Sequence, residues 1–168
     1  MYITSQTSPI GTLVLTSDGT NLTGLYLKHQ KYFLDGISED LERKDDLKIF
    51  KQTKSWLKHY FAGFAPSPHD LKLKPKGTVF RRTVWKELLN IPYGATITYK
   101  ELSKKVAEKL GRKTMSAQAI GQAVGHNPIS IIIPCHRVIG TSGNLVGYAG
   151  GISKKAYLLT LEQKKKRG

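Results

Sequence analysis

The periodicity of the apolar residues changes once along the chain, and that change limits the folds open to it. Over residues 1–40 apolar and polar positions alternate around turn signals, with Leu13 and Leu15 before an Asp18-Gly19 turn and Leu25 and Leu27 after it. A period of two around a tight Asp-Gly turn is the pattern of a small antiparallel sheet. From Asp45 to Phe61 the spacing becomes helical, with Leu47, Phe50, Leu57 and Phe61 on one face, and such a helix is expected to cover the sheet. Gly63 to Lys76 then holds Pro66, Pro68 and Pro75 and few large apolar residues, which reads as a linker. The expected fold class is α/β in the α+β sense: a sheet-plus-helix domain with linker over residues 1–75, then a mainly helical domain over 76–168.

In the second part Phe80, Val84 and Leu88 mark a helix that stops at Pro92-Tyr93-Gly94. Thr98 followed by Glu101 is a capping box, and the helix it opens runs to about Leu110, where Gly111 breaks it. Ser116 caps a third helix that extends to Asn127, because Pro128 cannot continue it. The last two of these helices, joined by a short Gly-containing turn, form a helix-turn-helix unit; plain core packing is the alternative. On the third helix Ala117, Ile120, Gly121 and Val124 fall at core spacing, leaving Gln118, Gln122 and Gly125 outward, flanked by Ala119 and Ala123. A helix that reads bases in a major groove projects long polar side chains. This slim face suits a minor groove instead, or close packing against another helix through Ala and Gly.

Charge separates the two parts further. Residues 1–75 hold 10 Lys/Arg against 8 Asp/Glu, whereas residues 76–168 hold 17 against 4, so nearly all of the net +15 lies in the second part. A concentrated basic region is what a polyanion-binding surface requires, because neutralising phosphates releases condensed counterions; a solvated face is the plainer reading. There is one cysteine, so an internal disulfide and a Cys-rich structural zinc site are excluded and no metal is expected. Without an apolar run of membrane length or a signal-peptide pattern, the chain is expected to be cytoplasmic and free of the membrane.

The lone cysteine sits in Ile131-Ile132-Ile133-Pro134-Cys135-His136-Arg137-Val138, which reads as a buried apolar strand running into a reactive segment. In extended backbone neighbouring side chains point apart, so His136 is expected to act on the Cys135 thiol through a water. An ordinary thiol is only a few per cent thiolate at neutral pH, and a histidine with local positive potential raises that fraction. Orienting the imidazole requires a carboxylate, and Glu87, Glu101, Glu108 and Glu162 are the four on offer. The residues alone do not choose among them.

The run IPCHRV, preceded by HNP and followed by GYAGG, resembles the active-site signature of the O6-alkylguanine-DNA alkyltransferases, the methylated-DNA-protein-cysteine methyltransferases. The resemblance covers about Thr78 to Glu162. It implies a DNA-repair enzyme that takes an alkyl group from O6 of guanine in double-stranded DNA, once per molecule, with O4-alkylthymine as a minor candidate substrate. By the same resemblance Cys135 is the acceptor, His136 its water-mediated base, Glu162 the carboxylate holding that base, and Asn127 the brace of the active-site turn. Tyr99 resembles the tyrosine that meets the lesion base and protonates the departing guanine. The main chain of Cys135 and Val138 would take the base's amino group, and Tyr148, Ala149 and Gly150 would form the pocket loop. Ser116, Gln118, Ala119 and Gln122 would meet the DNA. No cofactor is implied, and a monomer is expected. Arg137 is expected to tie the turn to the domain.

Two positions depart from the family pattern. Gln118 stands where an arginine commonly fills the space of the flipped base, which costs charge and stacking area. Ala149 stands where a serine is usual, keeping the main-chain N–H but losing a hydroxyl. Three other readings compete. A lesion sensor of the same fold lacks the acceptor cysteine, a helix-turn-helix regulator carries base-reading side chains, and a thiol hydrolase leaves the basic half unexplained.

Overall fold

The computed structural model describes residues 1–37 and 40–167, with the side chains of 165–167 left aside. The chain divides into two compact units, one made of Met1–Lys76 with Pro128–Ser130, the other of Gly77–Asn127 with the chain from Ile131 onward. No described helix is long and apolar enough to cross a membrane.

The first unit is a four-stranded sheet in the order β3-β2-β1-β4, with β1 Tyr2–Ser8, β2 Gly11–Ser17, β3 Leu22–Leu27 and β4 Glu42–Arg43. The three long strands are antiparallel, while the short β4 lies parallel to β1. At the β2–β3 turn the Asp18 carboxylate accepts from the backbone N–H groups of Thr20 and Asn21 (2.9 and 2.7 Å), and Gly19 takes φ +108°. That left-handed turn position is what glycine supplies at no steric cost. The outer edge of β3 is not left open. Lys72 and Lys74 pair with Leu22, and Pro128 and Ser130 pair with Leu25 (N–O 2.8 to 2.9 Å), so the expected linker and the segment after Asn127 both close the sheet edge.

Helix α1 spans Lys48–Phe61 and starts later than Asp45. The Asp45 carboxylate is engaged elsewhere, accepting from the Thr4 hydroxyl and from Arg43 Nε, so it cannot open the helix. The buried face is Ile49, Phe50, Thr53, Trp56, Leu57 and Tyr60; Leu47 and Phe61, expected inward, are half-buried at the two ends.

The second unit contains α2 Val79–Leu88, β5 Ile97–Thr98, α3 Tyr99–Lys109, α4 Ala117–Gly125, β6 Val138–Ile139 and α5 Ile152–Arg167. Three hydroxyls cap three helices: Thr78 accepts from Arg81 N, Thr98 from Glu101 N and Ser116 from Ala119 N, each satisfying an amide the first turn leaves orphaned. Val84, Trp85, Leu88, Leu102, Val106, Ile120, Ala123 and Val124 bury the contact of α2, α3 and α4, and Trp85 Nε1 donates to Ala123 O at 2.8 Å. Gly77 lets the Trp85 ring lie against the chain, since a Cβ there would meet it at 2.5 Å.

Helix α4 corrects the expected face. Ile120, Ala123 and Val124 are inward, whereas Ala117 is exposed and a Cβ on Gly121 or Gly125 would meet nothing within 4 Å. Ala123 was expected to flank the outward side and Ala117 and Gly121 the core. At about 100° per residue, 120, 123 and 124 form one narrow stripe, and Ala117, the first helical residue, extends beyond what covers it. The glycines of α4 are therefore open, not pressed against a neighbouring helix.

Candidate active site

The eight residues Ile131–Val138 are all buried, but they are not a strand. Ile131 has φ +71° and Cys135–Arg137 form a single 3-10 turn. The apolar run predicts the burial but not the backbone: Pro134 has no N–H to offer a ladder, and the Cys135 N–H is spent on Ile133 O at 2.8 Å. Only Val138–Ile139 is extended. It pairs in parallel with Ile97–Thr98, setting Thr98 opposite Ile139. The Thr98 cap starts α3 at Tyr99, so this short ladder brings Tyr99 to the turn that carries Cys135.

Asn127, buried just past α4, donates from Nδ2 to Ile133 O at 2.8 Å and hydrogen-bonds the thiol. Cys135 is 5 % exposed. Burial pushes its thiol up from the ordinary value, while the Asn127 hydrogen bond, the Lys155 charge and backbone hydrogen bonds pull against that rise.

Of the four candidate carboxylates, Glu162 is the one at the turn. His136 Nε2 lies 2.8 Å from Glu162 Oε2, and Arg137 Nε donates to Glu162 Oε1 at 2.6 Å while its Nη1 donates to Ile91 O at 2.7 Å. Burial opposes ionisation of Glu162, yet the hydrogen bonds from His136 and Arg137 and the Arg137 charge outweigh it and hold the carboxyl below its usual range. An ionised carboxylate only accepts, so Nε2 carries the proton. Burial also lowers His136, more than Glu162 raises it, and keeps the ring neutral. Nδ1 is then a bare acceptor. It is buried and has no hydrogen-bond partner among the described residues.

Tyr99 Oη donates to Val146 O at 3.2 Å and Gly147 O at 3.4 Å, and Gly147 sits at φ +61° where a Cβ would stand 3.3 Å from that hydroxyl. Burial, with the Cys135 charge second, pushes the phenol up to about 12, so it stays protonated at neutral pH. Tyr148 is buried, Ala149 and Gly150 are half-buried, and Gly151 N closes their turn on Tyr148 O at 2.9 Å. Val138 O already accepts from Lys155 Nζ at 2.6 Å, and Cys135 O from Val138 N. Gln118 and Gln122 are exposed on α4, Ala119 is half-buried, and Ser116 serves as the cap.

One buried functional group has no counterpart in the sequence reading. Lys155 is 0 % exposed and donates to Val138 O and to Val146 O at 2.8 Å. The buried face of α5 is Lys155, Leu158 and Glu162. That is i, i+3, i+7 spacing, but with two charged residues of three it is invisible to a search for apolar periodicity.

Residues 79–164 match the family model described as 6-O-methylguanine DNA methyltransferase, DNA binding domain, and residues 1–75 match its ribonuclease-like domain. The chain belongs to the methylated-DNA-protein-cysteine methyltransferase family. The methylated-DNA-protein-cysteine methyltransferase of Methanosarcina barkeri is 42 % identical over 97 % of this chain and 98 % of its own, and that of Haemophilus influenzae is 36 % identical over 97 % and 87 %. The crystal structure of Mycobacterium tuberculosis OGT in complex with DNA superposes with a TM-score of 0.85 at 39 % identity, covering 98 % of this chain and 94 % of that one. The family resemblance carried by IPCHRV and the α+β fold class expected from the periodicity are both met. As a methylated-DNA-protein-cysteine methyltransferase, the chain keeps Tyr99, Asn127, Cys135, His136 and Glu162 all inside the matched DNA-binding-domain region.

Proposed function

We propose that this protein restores guanine in duplex DNA by moving an alkyl group from O6 of an alkylated guanine to Cys135 Sγ, once per molecule. The observation that carries this reading is the sole cysteine, buried beside a neutral histidine that is held by a buried carboxylate and has Nδ1 unpartnered. The thiol proton passes to Nδ1 through a bridging water. Sulfur attacks the alkyl carbon, the carbon–oxygen bond breaks, and the departing guanine takes a proton from the Tyr99 hydroxyl, which regains one from the histidine. The net change moves the alkyl group to sulfur and the thiol proton to guanine. The thioether has no second thiol to receive the group, so turnover ends there.

A thiol 5 % exposed cannot reach a base stacked in a duplex. The lesion must therefore leave the helix, at a cost of a few kcal/mol. The exposed face of α4, with Gln118, Gln122 and two glycines open to solvent, suits close approach to a minor groove about 6 Å wide, and gives little sequence readout. Gln118 occupies the vacated base position, Ser116 and Ala119 border it, and Val138 with Tyr148, Ala149 and Gly150 line the pocket. O4-methylthymine, with the same O-alkyl group on a smaller base, is the secondary substrate. A single free thiol fits a monomer working in the reducing cytoplasm.

Intact-mass analysis after mixing with duplex containing O6-methylguanine tests this. One added methyl on the Cys135 peptide, and none in Cys135→Ser, is expected. Repeated turnover, or a methyl elsewhere, overturns it.

A further inference from the structure

The charges around the thiol leave one unbalanced. Arg137 is matched by Glu162, and His136 is neutral. Tyr99, from α3, is a protonated phenol, and Asn127, at the end of α4, is an amide. From α5 comes Lys155, whose charge favours the ionised form of Cys135 and whose ammonium is hydrogen-bonded to Val138, the residue that ends the Cys135–Arg137 turn. Its ammonium is fully buried, and its hydrogen bonds go to two carbonyls, Val138 O and Val146 O, with no carboxylate paired to it among the described residues. A buried ammonium without a counter-charge is costly. Carbonyl dipoles offset part of that cost, and an anion is needed for the rest.

We propose that Lys155 is a positioning residue whose ammonium takes the Cys135 thiolate as its counter-ion, poising the thiol for attack while fastening the loop that carries Tyr148. The inference rests on Cys135 being the alkyl acceptor. The thiol proton goes to the His136–Glu162 pair, and Lys155 stabilises the thiolate that its loss leaves behind. The geometry gives Lys155 the second task as well. Val146 O accepts from both Lys155 Nζ and Tyr99 Oη, and the ammonium lies 6.0 Å from the Tyr99 ring centroid. One cation thus joins the strand after Cys135, the loop and the tyrosine. In reverse, the thiolate supports the ammonium: burial lowers Lys155 and the Cys135 charge raises it.

The test is the pH profile of Cys135 alkylation by iodoacetamide, which is neutral and needs no DNA, in wild type, Lys155→Met, Lys155→Gln and Lys155→Arg. In the two neutral variants the inflection should rise by about one unit or more, equivalent to roughly tenfold slower reaction at neutral pH, and Lys155→Arg should stay nearer wild type. A merely structural lysine would change the plateau and leave the inflection in place, and that result overturns the proposal. A second measurement keeps the test decisive if the neutral variants do not fold. In the wild-type protein the 13Cε resonance of Lys155 should titrate with the inflection of the thiol, and that step should vanish in Cys135→Ser; a resonance blind to Cys135 also overturns the proposal. Methyl transfer read by mass is separate. No methyl on Cys135 with a shifted profile sinks the repair function and leaves Lys155 standing, while methyl transfer with an unshifted profile does the reverse.

Discussion

Glu162→Gln removes one charge from a buried cluster. The carboxylate is 1 % exposed and accepts from His136 Nε2 at 2.8 Å and Arg137 Nε at 2.6 Å. The amide keeps the shape but leaves the Arg137 guanidinium buried without a counter-charge, and breaking a buried pair from one side costs about 3–5 kcal/mol. Domains of this size have about 5–15 kcal/mol in total, so the variant should fold with a clearly lowered midpoint in urea. Arg137→Met should cost a similar amount, and the double variant should lose less than the two singles together, because it leaves neither charge stranded. The pH dependence has a defined sign. Glu162 is depressed in the folded state, so its contribution is complete above the unfolded carboxylate value of 4.5 and is lost as pH falls through the lower folded value. The gap between wild type and Glu162→Gln should therefore be full at neutral pH and close in acid. His136, also depressed, makes wild type lose stability as pH falls below 6.5. A loss under about 1 kcal/mol, or a double variant as unstable as the sum of the singles, would refute the view of Glu162 as the shared anion of the turn.

Gln118→Ala should slow transfer from duplex DNA about tenfold, worth about 1.4 kcal/mol, while barely changing reaction with the free base O6-benzylguanine; Gln118→Arg should match or exceed wild type on duplex, and single-turnover rates on both substrates decide it. Gly121→Leu should leave the melting temperature unchanged or higher, since a Cβ there meets nothing and glycine is a poor helix former, yet weaken duplex binding measured by fluorescence anisotropy; a destabilised variant with normal binding would return α4 to a packing role. Affinity for undamaged duplex should vary little with sequence and fall by roughly a thousandfold between ~50 and ~200 mM salt if about six phosphates are contacted, whereas strong preference for one unmodified sequence would favour a regulator.

What could be read in the sequence was what local chemistry decides. Thr98, Ser116 and the Asp18-Gly19 turn each announce their role through one side chain and its own backbone, and all three do so in the structure. The apolar spacing of α1 predicts the inward stripe at Phe50 and Leu57 but not at Leu47 and Phe61, because burial at the ends depends on what lies beyond the helix. The segment 131–138 was harder. Its apolar run says buried, and only tertiary hydrogen bonds, such as Asn127 to Ile133 O, say that it coils into turns. Choosing Glu162 among four glutamates needed the family signature, because the pairing with His136 spans 26 residues. Lys155 was missed for the opposite reason to an apolar residue: nothing in a lysine's identity says that it will be buried.

The pairing of Leu25 with Pro128 and Ser130 has a consequence for how the protein is made. The β3 edge receives that partner from roughly a hundred residues further along, a closure that costs entropy before it returns any contact. On a ribosome adding about 5–20 residues per second, the N-terminal sheet waits on the order of 5–20 s for the segment that seals it. During that interval the N–H and C=O of Leu25 stand unpaired at a strand edge, open to another nascent chain. Crowded polysomes, not the finished protein, are where this fold is most exposed to mispairing.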